Sequence, residues 1–447
     1  MKKWISTACL CALLSAFSPV TGASDRAGQP AAIEPGQLIL SSREIDQLIL
    51  APMGRILHFP SIDRFIGNLA EPLAFRKVKL FAAGARTWVV DGSGAREFRR
   101  DGRDFYIARN RDSAIGLSVD PSSGRLQGFS VQAGERMQIR GNLLSGLEFA
   151  PIAESEDASN TCASDSGMQI AGISGTGQAG DFASQSAALA GESLTYQAVV
   201  AVETDSDWLK GLGDDAATAQ TWISDAFLAM NVFFERDIET RLLLGDVFLR
   251  IGTDPYSASS DRYQQLNEFG EYWRTRMGHV DRQFALKLSG RGINQGSFSG
   301  IAWVDAYCET GRSANGGSVT YGSYSLNAVG SSRTAANTAL YLGHELGHNL
   351  GSPHTHCYNP PVDQCYSGAS GCYSGTPQCP TAGRGTIMSY CHVGGSNGAG
   401  CGTSFSEFHP TVQSRLEGRL ADQVSAGCIS LYSGPPTGEV IFSGGFE

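Results

Sequence analysis

The chain has 447 residues, of which 41% are hydrophobic and 17% charged, so it can bury real cores and is not a disordered protein. A single core rarely grows beyond about 250–300 residues, which leaves room for two or three domains. The net charge is −10, and residues 192–447 carry all of it, with 15 basic and 25 acidic side chains. An acidic surface repels phosphate backbones and anionic lipid, which argues against nucleic-acid or membrane-surface partners.

The N-terminus has the build of an export signal. Two lysines precede a mostly apolar stretch from Trp4 to Phe17, and small residues at 21–23 offer a cleavage point. The stretch is too short to span a membrane and no second one follows, so we expect no stable membrane insertion. Residues 1–23 are predicted to be a signal peptide, and the mature chain is predicted to be secreted, either extracellular or in transit through a periplasm.

Residues 24–157 are predicted to form a mostly β domain. Apolar residues alternate with small or polar ones at Ile115, Leu117 and Val119, and a turn at 121–124 leads into a second alternating run. Residues 158–191 then shift to Ala, Ser, Gly and Thr with few large apolar groups. That composition is typical of an exposed linker that is open to proteolysis.

Residues 192–430 alternate between strand and helix patterns, which predicts an α/β domain with a twisted, mostly parallel sheet. The predicted strands are 198–202, 242–251 and 299–308. The predicted helices include one with the buried face Ile223, Phe227, Met230 and Phe234, a short one at 269–277, and one at 333–350 with Ser332 as its N-cap. Beyond Gly351 the chain becomes loop-rich, and residues 431–447 are a tail.

Export changes the interpretation of the cysteines. After loss of Cys9 and Cys11, eight of the remaining cysteines fall in the last 140 residues: Cys308, Cys357, Cys365, Cys372, Cys379, Cys391, Cys401 and Cys428. An even cluster in an oxidising compartment predicts up to four disulfides, whose pairing the sequence leaves open. Cys162 stands alone upstream, and it either stays unpaired or joins one of the eight.

Three histidines in the run 344–354 have the spacing of a catalytic zinc site. His344 and His348 lie four apart, on one face of the predicted helix. Gly351 and Pro353 must end that helix, and the turn can bring His354 round as the third ligand. Three imidazoles leave a fourth position for water, which is typical of a catalytic zinc ion.

The residue after the first of these histidines is suited to acid–base chemistry. Glu345 lies beside the ligand face, where its carboxylate can take a proton from a zinc-bound water and pass it to a leaving amine. The opposite side of the helix carries Leu342, Leu346 and Leu350, which are predicted to pack on the core. A chance match or an inactive metal site is the alternative interpretation.

The extended histidine motif and a second motif, Gly385 to Tyr390, together resemble the metzincin superfamily of zinc endopeptidases, in particular its reprolysin-like (adamalysin-type) members. By this resemblance Met388 forms the Met-turn beneath the metal, and Tyr390 ligates zinc or hydrogen-bonds the oxyanion. The alternatives are plain core packing and a structural hydroxyl. One departure is Thr355, where reprolysins usually carry Asp.

The resemblance also implies how substrate binds. An extended peptide would add by main-chain hydrogen bonds to an edge strand. The residues assigned to that strand are Gly300, Ile301, Ala302, Trp303 and Val304. The loop 357–385 would form the pocket wall. The expected partners are therefore extended proteins or peptides, and the chain is expected to act as a monomer.

Many metzincins are made as zymogens, and Cys162 is the candidate for a prodomain thiolate that occupies the fourth zinc position. Residues 24 to about 190 would then be a propeptide, with cleavage between 163 and 195. The alternative function is a secreted peptide-binding or adhesion protein with a protease-like domain, and a structural calcium ion is left open.

Overall fold

The computed structural model describes residues 36–66, 72–110, 113–132, 135–152, 161–162, 194–314 and 319–434. The predicted signal peptide and most of the predicted linker and tail lie outside the described residues. Within the described ranges, no helix combines the length and apolar character needed to cross a bilayer.

The N-terminal part forms one antiparallel sheet with two helices. Its elements are β1 (Gly36–Leu38), α1 (Ser42–Leu50), β2 (Ile56–Leu57), α2 (Pro60–Ile66), β3 (Phe75–Val78), β4 (Thr87–Asp91), β5 (Gly94–Phe98), β6 (Asp104–Arg109), β7 (Ser113–Val119), β8 (Arg125–Gln132), β9 (Glu135–Asn142) and β10 (Gly146–Pro151). Eight of these strands pair antiparallel in the order β1-β10-β9-β8-β7-β6-β3-β2. Ile115, Leu117 and Val119 share one buried core with Leu48 of α1 and Ile62 of α2, as strand alternation requires.

The C-terminal part is built on a mixed sheet. Its elements are β11 (Thr161–Cys162), β12 (Tyr196–Thr204), α3 (Ser206–Gly211), α4 (Ala216–Ile238), β13 (Thr240–Arg250), α5 (Arg262–Arg276), β14 (Phe284–Ser289), β15 (Phe298–Ala302), β16 (Arg312–Ala314), β17 (Val319–Tyr321), β18 (Tyr324–Val329), α6 (Ala335–Asn349), α7 (Pro410–Ser425) and β19 (Ser430–Leu431). The sheet order is β11-β15-β18-β14-β12-β13-β4-β5, and β19 pairs with β12. The central strands are parallel, whereas β15 runs antiparallel to β18.

Helices cover both faces of this sheet, because its central strands carry apolar side chains on both sides. Val200, on β12, shares a core with α4 and α6. The next residue, Ala201, points the other way and shares a core with Phe269 and Trp273 of α5. The sheet is joined by β4 and β5, which precede the predicted linker, so the two predicted domains share a sheet.

Three predicted boundaries need correction. Helix α6 begins at Ala335 with Thr334 as its N-cap, since the Thr334 hydroxyl accepts from Asn337 N at 3.2 Å, while Ser332 Oγ donates to the Gln295 carbonyl. Helix α5 begins at Arg262, seven residues before the first predicted residue. The prediction missed its first half because that half is mostly polar and shows little apolar periodicity. The strand predicted over 299–308 ends at Ala302, since Asp305 and Cys308 have positive φ values of 58° and 47°, which a strand cannot accommodate.

Replacing Leu346 with alanine is expected to lower the free energy of unfolding by about 2–5 kcal/mol. Leu346 lies on the core-facing side of α6 and is fully buried, so the change leaves a cavity. Chemical denaturation followed by circular dichroism measures the effect. Leu144→Ala, at a leucine that is 83% exposed, is the matched control and should change stability little. Equal effects of the two variants would contradict the assigned packing of α6.

Candidate metal centre

Helix α6 carries two of the three predicted ligands, His344 and His348, in its C-terminal half. Leu342, Leu346 and Leu350 are each buried to within 1% exposure, which confirms the predicted packing face. The helix ends at Asn349, and Gly351 adopts a φ of +108°, a conformation that a residue with a side chain rarely takes. The turn at Gly351 is fixed further by Arg415, whose Nε donates to the Gly351 carbonyl at 2.6 Å.

The turn brings the third histidine back against the helix. His354 Nε2 lies 3.0 Å from His348 Nε2 and 3.2 Å from His344 Nε2. All three side chains are buried, with exposures of 3%, 1% and 6% for His354, His348 and His344. Three ring nitrogens that converge at such distances define a common point that each of them faces.

Backbone carbonyls fix the tautomer of the two helical histidines. His344 Nδ1 lies 2.6 Å from the Ile387 carbonyl, and His348 Nδ1 lies 2.7 Å from the Ser352 carbonyl. A carbonyl oxygen can only accept, so Nδ1 carries the proton and Nε2 presents its lone pair to the common point. Burial, and then the nearby His354, hold the pKa of His348 well below its ordinary value, which keeps its ring neutral.

This donor set fits a zinc ion. Neutral imidazoles are zinc ligands, and three of them leave a position open for chemistry. His344, His348 and His354 would hold the ion, as predicted. A neighbouring group that includes His356 and Cys357 offers no such set, because Cys357 is bonded to Cys372 and has no thiolate.

The predicted general base lies between the ligand helix and the sheet. Glu345 is fully buried. A Cβ built on Gly300 of β15 would lie 2.5 Å from Glu345 Cδ and closer still to Oε1, so the carboxylate packs directly on the backbone of this strand. Only glycine leaves the room that Glu345 occupies. Sequence reasoning chose Gly300 for substrate binding and missed this contact, whose one signal was a glycine within a strand pattern.

Met388 packs against the last turns of α6, which carry His344 and His348. It is fully buried, and a Cβ built on Gly347 would lie 2.5 Å from its Sδ. The Met388 carbonyl accepts hydrogen bonds from Thr355 N at 3.0 Å and from Thr355 Oγ1 at 3.3 Å. The residue that departs from the reprolysin pattern therefore ties the third-ligand segment to the Met388 turn.

Tyr390 forms a wall of the site. Its ring centroid lies 4.1 Å from that of His354, and the ring stacks on His344 at 6.2 Å with an interplanar angle of 17°. The next residue, Cys391, is bonded to Cys365, which holds this wall in place. The position is compatible with the predicted contact to a reacting carbonyl oxygen, and that role stays a prediction.

Three further histidines, His356, His392 and His409, do not belong to the triad. His356 stacks on His354 with centroids 5.4 Å apart, and His392 packs at 6.4 Å from the Tyr341 ring. His409 is the N-cap of α7, where its Nδ1 accepts from Thr411 N.

Four disulfides use all eight clustered cysteines. The pairs are Cys308–Cys428, Cys357–Cys372, Cys365–Cys391 and Cys379–Cys401. Three of them tie down residues 357–401, which contain no regular element longer than a single short turn. None of the eight is left over for Cys162, so the alternative in which it pairs with one of them is not realised here.

The predicted substrate strand is only partly a strand. Gly300, Ile301 and Ala302 lie in β15, whereas Trp303 and Val304 follow its end, and Trp303 is buried. The outer edge of β15 is covered by β11, in which Thr161 pairs with Ser299 and Cys162 pairs with Gly300. The backbone of Cys162 therefore lies directly opposite Gly300, the glycine that contacts Glu345, on the neighbouring strand.

Replacing His348 with alanine is expected to weaken zinc binding by more than about 100-fold, since loss of an outer-shell partner alone costs about 10–100-fold. Zinc content after dialysis against a weak chelator measures the effect. His392→Ala is the matched control, because the His392 ring lies 6.1 Å from the ring of Tyr390, which packs on His354, but His392 is not part of the triad. Stoichiometric zinc in the His348 variant would contradict the assigned ligand set.

Comparison with known proteins gives a family match over the region that contains the three histidines. A family model described as metallo-peptidase family M12 (Reprolysin_5) matches residues 195–404. The chain is also similar to a zinc metalloproteinase/disintegrin from Bitis gabonica, with 28% identity over 167 residues. This match covers 35% of the chain and 43% of the relative, so the chain spans less than half of the relative's length.

Two solved structures are similar over large parts of the chain. The crystal structure of metalloproteinase-II from Bacteroides fragilis covers 78% of this chain and 87% of its own, with 8% identity and a TM-score of 0.35. A chaperone–substrate complex covers 67% of this chain and 39% of its own, with 12% identity and a TM-score of 0.30. At such TM-scores neither likeness defines the fold.

Proposed function

Because residues 195–404 match a family model of metallo-peptidase family M12, we propose that this chain is an exported zinc endopeptidase made as a zymogen. The observation that carries the proposal is the convergence of His344, His348 and His354, with Glu345 buried beside them. A site that only bound peptides would have no need of a buried carboxylate at that point. Four disulfides and the N-terminal signal pattern support export.

Glu345 acts as the general base and then as the general acid. When bound, the zinc ion supplies Lewis-acid chemistry, which acidifies a water molecule and polarises the substrate carbonyl. Glu345 takes the proton from that water and returns it to the leaving amine. The hydroxyl of Tyr390 hydrogen-bonds the carbonyl oxygen as it gains charge.

Substrates bind as extended peptides along β15. Strand β15 pairs with β18 on one edge and with β11 on the other, so this second edge can accept a substrate strand once β11 has left. Main-chain pairing recognises any extended segment, so specificity has to come from side-chain pockets. The segment 357–385, tied down by its disulfides, supplies their wall.

The zymogen is inhibited by the segment around Cys162. The pairing of Cys162 with Gly300 supports this, because a strand in that position blocks the edge that substrate needs. A thiolate at this point can also take the open position of a zinc ion held by three histidines. Cleavage between 163 and 195 then releases the segment from β15.

Casein hydrolysis by the exported protein, before and after proteolytic nicking of the linker, tests the proposed function. We expect activity that a zinc chelator abolishes, together with a new N-terminus between 163 and 195. Stoichiometric zinc without hydrolysis, in nicked protein, would overturn the proposal and favour a peptide-binding protein.

Replacing Cys162 with serine is expected to raise the activity of the uncut protein towards that of the nicked form, since a hydroxyl is a much poorer zinc ligand than a thiolate. Initial rates of casein hydrolysis by uncut protein measure the effect. Ser164→Ala, in the same segment, is the matched control. An uncut Cys162 variant that stays as inactive as the control would count against the switch.

A further inference from the structure

The N-terminal β unit, residues 36–151, shares a hydrophobic core, strand pairing and an ion pair with the rest of the chain. We infer that this unit is a permanent subunit of the mature protein, which stays bound without a covalent link after the linker has been cut. Activation then consists of opening the edge of β15, not of releasing the N-terminal unit.

Helix α4 is buried along most of its length, and the N-terminal unit covers one of its faces. Asn231 exchanges hydrogen bonds with the backbone of Leu242 on β13, at 2.9 and 2.7 Å. Phe233 and Phe234 pack against Gly343 of α6. The remaining face bears Leu228 and Val232, which contact the N-terminal sheet at Gly116. This last face is apolar, so it would be exposed to water if the N-terminal unit left.

The N-terminal sheet presents a matching surface. Antiparallel sheets commonly leave one face to solvent, but here both faces are apolar. One face packs on α1 and α2. The other carries Phe105, Ile107, Phe129 and Val131, which belong to the same core as α4. Gly116 lies among them, and a Cβ built on it would lie 2.9 Å from Leu228 Cγ, so the helix approaches the strand backbone closely.

The two parts also share backbone hydrogen bonds. β4 pairs in parallel with β13, with Thr87 opposite Val247 and Val90 opposite Arg250. Leu244 donates to the Leu80 carbonyl at 2.8 Å and accepts from Ala82 N at 2.9 Å. If the N-terminal unit left, β13 would become an edge strand with a row of unpaired groups, which is a template for aggregation.

A partly buried ion pair joins the two parts as well. Arg103 Nη1 lies 2.7 Å from Asp225 Oδ1 on α4, and their side chains are 8% and 15% exposed. Arg103 Nη1 also donates to Ser118 Oγ at 2.9 Å. Loss of Arg103 removes the cation that faces the buried Asp225 carboxylate, which is unfavourable.

Native gel filtration of the full chain, cut in the linker by a protease, tests the inference. We expect the two fragments to elute together at the position of the uncut chain, and to separate only in denaturant. Separate elution of a folded C-terminal fragment, judged by circular dichroism, would overturn the inference.

Arg103→Glu places a like charge against Asp225 and is expected to raise the dissociated fraction of the cut protein at least tenfold on dilution. Arg140→Glu is the matched control, because Arg140 pairs with Glu148 on the exposed surface of the same unit. Asp225→Asn, which keeps the shape of the side chain, is a second test if Arg103→Glu fails to fold. Equal dissociation of the interface variants and the control would contradict the assigned interface.

Hydrolysis by the co-eluting fragments rests on the proposed function, whereas co-elution does not. Activity in the joint peak supports both. Co-elution without activity supports the permanent subunit and counts against the peptidase. Activity found only in fractions that have lost the N-terminal fragment overturns the permanent subunit and leaves the peptidase standing.

Discussion

Replacing Glu345 with glutamine is expected to lower kcat/KM for peptide hydrolysis by about 10²–10⁴-fold, the range typical of a general acid–base group. Glutamine keeps the size of the side chain but cannot take a proton. Glu345 is fully buried and packs on the backbone at Gly300, so the neutral replacement should also be tolerated by the fold. Initial rates on a quenched peptide or on casein measure the loss, after nicking of the linker.

Zinc content is the control for this variant. Glu345 is not one of the three residues whose nitrogens converge, so the glutamine variant should retain the metal in full. Glu268→Gln, at an acidic residue on α5 that hydrogen-bonds Ser257, is a matched control for loss of a carboxylate elsewhere. A Glu345 variant that hydrolyses casein like the wild type would show that the catalytic assignment is wrong.

Replacing Gly300 with alanine is expected to lower kcat by roughly 10²-fold, because displacement of a reacting group by about 1 Å can cost that much. The added methyl group would occupy the space of the Glu345 carboxylate, which must then leave the position that it has in this structure. The three heavy atoms nearest to the added methyl group all belong to Glu345 and none to the triad, so zinc should be retained. The measurements are steady-state kinetics and zinc stoichiometry of the nicked protein.

A double variant distinguishes this role from simple misfolding. If Gly300 acts through Glu345, adding Gly300→Ala to Glu345→Gln should lower kcat little further, since the group that it displaces is already inactive. Gly278→Ala is the matched control, because a Cβ at Gly278 meets nothing within 4 Å. Full additivity of the two changes would contradict the positioning role.

The approach of His344 and His348 to one another could be predicted from local pattern. His344 and His348 lie on one helix face because helical geometry alone brings residues four apart together. Gly351 ends the helix because the turn needs a positive φ, which glycine adopts readily. These features depend on neighbouring residues only, so the sequence contained all that was needed.

The N-cap of α6 shows where local pattern stops being sufficient. Ser332 and Thr334 are both chemically suitable caps, and the sequence gives no reason to prefer Thr334. The structure uses Ser332 for the Gln295 carbonyl instead, a partner 37 residues away along the chain. Competition for such a distant partner cannot be judged from a local window.

By itself, the sequence determined the helix of His344 and His348, the cluster of cysteines and the strand alternation at Ile115, Leu117 and Val119, because helical period, strand alternation and composition are local properties. Only the tertiary structure decided which cysteines pair, that Glu345 packs on Gly300, and that β4 extends the sheet beside β13. Each of these contacts joins residues far apart in the chain. Their selection depends on packing the whole core at once, which no local pattern encodes.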